Sequence, residues 1–323
     1  MDSPGRSSRR RLTSLARALL GSRQVGYPAG RHGTHRRRLL TVEEVARWST
    51  DGYLVLRRWF SRGEAGLLRE AMATDPQLQR TNIPIAGAVD FSVWFFAGDD
   101  TYGYFARDEM TVAAVARLIE DEPYMEQQSM FLKQPRSKGR IATHQDFGYT
   151  YSQGMLNPQK ILQMVVAVDS NRVDNGCLNL LKGSHVLGRL EHADHGDGQL
   201  SAEPARVAAA AEHFPSTPLE LEPGDVCFTH SCILHGSEPN DSDKPRWNMV
   251  VGYNGESNEP RPRIMSDNFG TGGTSGDGSK SIKPPFNKLA RVPQGTIEKL
   301  GLQLLNPGRP ASDFLQRRGS TVE

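Results

Sequence analysis

The chain has 323 residues, 37% hydrophobic and 24% charged, with a mean hydropathy of -0.53. No stretch approaches the roughly 18 apolar residues of a membrane-spanning helix, so no membrane span is expected. The formal net charge of +2 hides an asymmetry: residues 1–40 hold ten arginines and one acid, carrying +9 and leaving -7 on the rest. A basic tail on a mildly acidic body gives no case for a nucleic-acid partner.

Residues 1–40 read as a basic tail. Leu12, Leu15, Leu19 and Leu20 fall on one helical face among arginines, and an Arg- and Ser-rich, acid-poor start resembles an organelle transit peptide. A disordered arm is the plainer reading. Cys177, Cys227 and Cys232 form no C-x-x-C pair, which fits a reducing, intracellular and by default cytoplasmic setting. The folded body, one domain over 41–323, is expected to start at Thr41, where Thr41 and Glu44 make a capping box before Val45, Ala46 and Trp48. Tyr53–Leu56 reads as a strand and 61–72 as a second helix. From Val89 onward β-like runs dominate: 89–96, 124–134, 141–151, 161–169, 176–181, 218–221, 225–230 and 246–254. One helix near 110–120 interrupts them. The 32 glycines and 20 prolines supply many turns. Many short strands with Gly/Pro turns predict a mainly β sandwich, barrel or jelly roll. The Gly/Ser-rich segment 266–281 reads as a lid or a linker.

The chemistry is concentrated in two places. His144-Gln145-Asp146 is a His-x-Asp; on a strand, residues two apart share a face, so both side chains reach one point. A second half follows the turn Glu222-Pro223-Gly224-Asp225: His230, then His235-Gly236-Ser237, then Arg246 eleven residues past His235. Two imidazoles and one carboxylate occupy one face of an iron(II) and leave the other open. An arginine at that distance offers a bidentate fork to a carboxylate. A hydrolase or isomerase with another metal, or a non-catalytic binding protein, is the alternative. The intact ligand set and Arg246 argue against both.

With these residues in place, the sequence resembles the phytanoyl-CoA dioxygenase family of iron(II)- and 2-oxoglutarate-dependent oxygenases. Residues 174–185 (DNGCLNLLKGSH) are similar to the family's N-G-C-L…P-G-[ST]-H hairpin, with Lys182 where proline is usual. Residues 130–135 (MFLKQP) resemble its strand ahead of the metal histidine, and Asp51-Gly52-Tyr53-Leu54-Val55 its opening. The resemblance implies a double-stranded β-helix, a mainly β jelly roll with flanking helices, and Fe(II) held by His144, Asp146 and His235. It implies 2-oxoglutarate held by Arg246 with Ser237 beside it, and Gln128 and Met130 on the strand lining the cosubstrate pocket. It further implies oxidation, foremost hydroxylation, of an unactivated C–H of a small organic substrate with O2, releasing succinate and CO2. Asp146 separates this chain from halogenating relatives, which carry a small residue there. Val165 stands where many members have Trp, and Leu132 where some have Asn.

Other polar residues take structural readings. His230 is expected to be a core residue rather than a ligand, and His185 to brace its hairpin. His192, Asp194 and His195 read as a solvated loop over the site. Phe147, Tyr149 and Tyr151 are expected to continue the His144 strand and, if it stays regular, to face away from the metal, unless a bulge after Asp146 turns them in.

Overall fold

The computed structural model describes residues 37–81, 83–85, 89–95, 97–196, 198–261, 289, 291–294 and 296–297. Most of the basic tail and the 266–281 segment lie outside the described residues.

Helix α1 (Val42–Asp51) begins at the anticipated capping box. The Glu44 N–H donates to Thr41 Oγ1 at 3.2 Å, and the Glu44 carboxylate accepts the Thr41 N–H at 2.8 Å. Strand β1 (Tyr53–Leu56) follows, and helix α2 (Arg62–Thr74) opens with the same device at Ser61 and Glu64. Each such cap is worth about 1 kcal/mol. Helix α3 (Pro76–Thr81), strands β2 (Ile83–Ile85) and β3 (Val89–Trp94), and helices α4 (Thr101–Arg107) and α5 (Glu109–Ile119) complete the N-terminal part. The β-rich part runs β4 (Pro123–Lys133), β5 (Ile141–His144), α6 (Asp146–Ser152), β6 (Ile161–Ala167), β7 (Leu178–Leu181), β8 (His192–Asp194) and β9 (Leu200–Ala202). It ends with α7 (Pro204–His213), β10 (Ser216–Pro218), β11 (Val226–His230), β12 (His235–Ser237) and β13 (Arg246–Gly255).

Seven strands form one sheet in the order β1-β11-β6-β13-β4-β3-β2, and four form a second in the order β10-β7-β12-β5. The strand pairings are antiparallel, and the non-sequential order is that of the expected jelly roll. Alternation gives the large sheet two chemically different faces. Met130, Leu132, Met164, Phe228, Met249 and Val251 pack outward against Trp48, Leu68, Phe105 and Val112 of the helices. Full burial of side chains of this size is worth about 1.5–3 kcal/mol each. The other face looks into the barrel, where Val165, Ala167 and Cys227 meet Leu219 and Leu221.

Two expectations need correction. The body does not start at Thr41. Arg37 is 5% exposed and Leu40 3%. The Arg37 guanidinium grips Asp108 at 2.7 and 3.0 Å and Glu64 at 2.9 Å, so one arginine of the supposed tail is part of the core. The 141–151 strand also stops early: β5 ends at His144, and Asp146 is the first residue of α6. Residues four apart share a face in a helix as well as in a strand. The Phe147/Tyr151 pair, with ring centroids 5.7 Å apart, therefore fits either reading. The helix is selected by packing: Phe147 joins Met155, Ile161 and Cys232 in a local cluster. Gly148 permits it, since a Cβ there would lie 2.5 Å from the His192 ring.

Candidate metal centre

Strands β5 and β12 pair antiparallel with His144 opposite His235. Each ring is oriented by its own chain: His144 Nδ1 donates to the Ala142 carbonyl at 2.8 Å, and His235 Nδ1 to the Ile233 carbonyl at 3.1 Å. Both are bonds to residue i−2, so both Nε2 lone pairs face the same point. Asp146 Oδ1 lies 3.7 Å from each Nε2. One ligand atom from each of the three residues lies within 4.8 Å of the others.

The donor set fits a divalent iron. The second carboxylate oxygen, Asp146 Oδ2, is buried without a hydrogen-bond partner, a costly state for an anion that a cation relieves. Burial by itself would raise the Asp146 carboxyl, but His235 and His144 reverse this and hold it below its ordinary value. Burial lowers His235 against the opposing pull of Asp146, which favours the neutral, ligating imidazole.

The peptide joining the first two members is clamped. Gln145 is fully buried; its amide donates to the carbonyls of Cys232 at 2.7 Å and Gly188 at 2.8 Å and accepts from Leu190 N. Its main-chain N–H donates to His192 Nε2 at 2.8 Å, while His192 Nδ1 donates to the Leu190 carbonyl at 2.9 Å. His192 is therefore not a solvated loop residue. Burial drives it down to about 4, so it stays neutral and able to accept. Asp194 and His195 are exposed, and Asp194 caps its own turn by accepting from Gly196 and Gly198.

A cationic end lies two residues beyond His235. Ser237 Oγ accepts from Lys133 Nζ at 2.9 Å and from Arg246 Nη2 at 3.4 Å. Arg246 is 4% exposed and its Nε has no partner, which leaves a buried donor for an anion. Burial brings this guanidinium down to about 10.

Gln128 and Met130 are not brought to this site. Arg246 pairs with Lys133 and Asn248 with Phe131, so the inward residues of β4 are 127, 129, 131 and 133. Gln128 faces the helices instead, accepting from Trp94 Nε1 at 3.0 Å and donating to the Tyr102 carbonyl at 2.8 Å. Met130 packs beside it in the outer core. The polar run Gln127-Gln128-Ser129 offers a polar residue to both faces and conceals the parity.

On the inner face of the large sheet, Gln163 on β6 and Gln127 on β4 flank Gly252; a Cβ there would lie 2.9 Å from Gln163 Oε1 and 3.1 Å from Gln127 Cγ. Gln163 Oε1 is buried with no partner. Tyr149, which was expected to turn away, stands edge-on to His144 with ring centroids 5.5 Å apart, because the α6 turn carries it there. His230 is structural as expected: its Nδ1 accepts from Cys232 N at 3.0 Å and its ring packs at a tilt against Trp48 and His185.

A jelly roll that gathers two imidazoles, a carboxylate and a buried arginine in this order belongs to the class of iron(II)- and 2-oxoglutarate-dependent oxygenases. The family model for phytanoyl-CoA dioxygenase (PhyH) matches residues 34–248, and the chain belongs to that family. It is thus a 2-oxoglutarate-dependent non-haem iron dioxygenase. The ectoine dioxygenase of Bordetella bronchiseptica is 27% identical over 242 residues, covering 69% of this chain and 78% of that protein. In fold, the chain is similar to EctD from S. alaskensis crystallised with 2-oxoglutarate and 5-hydroxyectoine, with a TM-score of 0.64 and 20% identity over 83% of this chain and 98% of that one. It is similar also to SnoN, a non-haem α-ketoglutarate-dependent epimerase from nogalamycin biosynthesis, with a TM-score of 0.54 and 21% identity over 72% and 90% of the two chains. No described helix is long and apolar enough to cross a membrane.

Proposed function

We propose that the protein hydroxylates an unactivated C–H of a small, polar organic substrate, with His144, Asp146 and His235 holding the iron and Arg246 with Ser237 holding 2-oxoglutarate. The overall balance is R–H + 2-oxoglutarate + O2 → R–OH + succinate + CO2. Iron(II) at this point supplies the activation of O2 that is coupled to loss of CO2 from the cosubstrate.

The protein's residues set the geometry for that chemistry. His144 and His235 present their Nε2 atoms, each ring fixed by a main-chain carbonyl. Asp146 contributes the third protein donor and keeps a negative charge at the site. Arg246 and Ser237 orient the cosubstrate from its far end, so that its reactive end lies toward the histidines. The single observation that carries this reading is the shared strand β12, which bears His235 and Ser237 two residues apart and so links metal point and anion end. A polar substrate is favoured by the Gln163 carboxamide, because a buried unpartnered amide oxygen binds a hydrogen-bond donor better than an alkyl chain.

The test is to load the full chain with iron(II) under argon, add 2-oxoglutarate and then O2, and measure succinate by mass spectrometry. Small zwitterionic and neutral polar compounds, ectoine among them, are then screened for a product 16 mass units heavier. Succinate formation stimulated by one such compound is the expected result. An iron-loaded protein that consumes no 2-oxoglutarate overturns the reading.

A further inference from the structure

The inner residues of β6 change character along the strand. Val165 and Ala167 are covered by Leu219 and Leu221. Gln163, the next inner residue toward the start of the strand, lies outside that cluster. It stands in register with Thr229 on β11 and Gly252 on β13, and Gly252 pairs in turn with Gln127 on β4. At about 3.3 Å per residue, Gly252 is about 20 Å along β13 from Arg246. The metal ligands are held at the Gln163 end. Gln145, between His144 and Asp146, donates to the Cys232 carbonyl, and Cys232 packs with Phe147 and with Ile161 at the start of β6. Gln163 is 4% exposed, and its Oε1 is buried without a partner. Gly252 admits the amide, since a Cβ there would lie 2.9 Å from Oε1 and 3.1 Å from Nε2. A buried amide oxygen without a hydrogen bond is destabilising, and a methionine of similar volume would fill the place without that cost. The packing of β6 does not call for an amide here, because Leu162, Met164 and Val165 beside it are apolar core residues. The last torsion of a glutamine is broad, so the oxygen can swing from Gly252 into the barrel.

We infer that Gln163 is a specificity-determining residue whose carboxamide oxygen accepts a hydrogen bond from an uncharged N–H or O–H of the substrate, the kind of donor that a lactam, a carboxamide or an alcohol carries. This deepens the reading under Proposed function and rests on it, since the cosubstrate there takes the Arg246 end and leaves the Gln163 end to the substrate. The donor is uncharged because Thr229, Gly252 and Gln127, the residues in register, supply no anion. A cationic donor would be buried beside them without a counterion. The acceptor lowers the stability of the empty protein and is satisfied only when the site is filled. A glutamine kept for the fold alone would show the opposite sign.

The experiment compares the full wild-type chain with Gln163→Met in two measurements. In a thermal melt without ligand, Gln163→Met should melt at least about 2 °C above wild type. Under argon, the visible charge-transfer absorption of the iron(II) and 2-oxoglutarate complex is then titrated with 2-pyrrolidinone and with N-methyl-2-pyrrolidinone, which has the same ring and carbonyl but no N–H. Wild type should bind 2-pyrrolidinone at least about threefold more tightly than the methylated ring, and Gln163→Met should bind the two within about 1.5-fold. A preference that survives in Gln163→Met reports the bulk of the methyl group and overturns the inference. So does a wild type that binds both rings equally or responds to neither. A Gln163→Met protein that melts with or below wild type, or does not fold, makes the amide a structural group and overturns it as well. If the absorption does not form when wild type is given iron(II) and 2-oxoglutarate, the underlying reading fails, and that outcome is seen before either ring is added.

Discussion

The His192 imidazole accepts the main-chain N–H of Gln145 at 2.8 Å, across 47 positions of sequence. Gln145 separates His144 from Asp146, so this bond fixes the peptide whose two neighbours converge on the metal point. It ties the β8–β9 hairpin to the junction where β5 gives way to α6. Outer contacts of this kind tune a metal site by orienting its ligands, and their loss typically costs 10- to 100-fold in metal affinity or activity.

His192→Ala is therefore expected to weaken iron binding about 10- to 100-fold while the protein still folds. The Gln145 N–H is left buried without an acceptor, at a cost of about 1–3 kcal/mol. Competition with a chelator gives the affinity and a thermal melt gives the stability. Undiminished iron affinity in His192→Ala would show that Gln145 is held well enough by its own side chain.

His144→Ala, Asp146→Ala and His235→Ala should each abolish iron retention on a desalting column. His230→Ala should retain iron, because that imidazole is engaged with Cys232 N and Gln159 on the far side of the strand turn. Retention by His235→Ala with loss by His230→Ala would mean that the wrong histidine is assigned.

Arg246→Ala is expected to raise the 2-oxoglutarate KM about 10- to 150-fold, the range for a hydrogen bond to a charged group, with iron binding intact. Steady-state succinate assays across cosubstrate concentration measure it. An unchanged KM would put the anchor elsewhere.

Much of this site is legible in the sequence because its signals are local. The Thr41–Glu44 box, the Asn175-Gly176 turn and the His235–Arg246 spacing each involve residues close along the chain. What is hidden depends on distant partners or on parity. Nothing near His192 announces that its acceptor faces Gln145. The strand 123–133 offers polar residues to both faces, so only its pairing with β13 reveals that Lys133, and not Gln128, enters the barrel. The α6 helix is concealed by aromatic residues whose spacing suits either period, and Cys232 and Ile161 decide the matter from elsewhere in the chain.

Stability should fall as the solution is acidified from pH 6.5 toward 4. Burial first, and the neighbouring His185 second, bring His230 down to about 4. The unfolded chain, with a histidine near 6.5, takes up this proton before the folded protein does. The stabilising contribution is thus complete above about pH 6.5 and is lost as pH falls through the interval to about 4. At about 1.4 kcal/mol per unit this comes to about 3 kcal/mol. Urea titrations at several pH values on wild type and His230→Gln measure it. Equal pH slopes for the two proteins would show that His230 is not the group responsible.

Arg37 offers the sharpest test of where the body begins. Its guanidinium and the carboxylates of Glu64 and Asp108 are each about 2% exposed at the side chain. The same carboxylates cap α2 and α5, since Glu64 accepts from Ser61 N and Asp108 from Thr111 N. Removing only the arginine leaves two buried anions facing one another, and breaking a buried pair in this way costs about 3–5 kcal/mol. For a body of this size each kcal/mol lowers Tm by about 2–4 °C, so Arg37→Met should melt about 6–20 °C below wild type. A chain begun at Leu39 should show the same loss, and one begun at His35 should not. The combination Arg37→Met, Glu64→Gln and Asp108→Asn should recover part of the loss, because neutral amides need no counterion. An Arg37→Met protein that melts with wild type would return Arg37 to the tail and place the start of the body at the Thr41 cap.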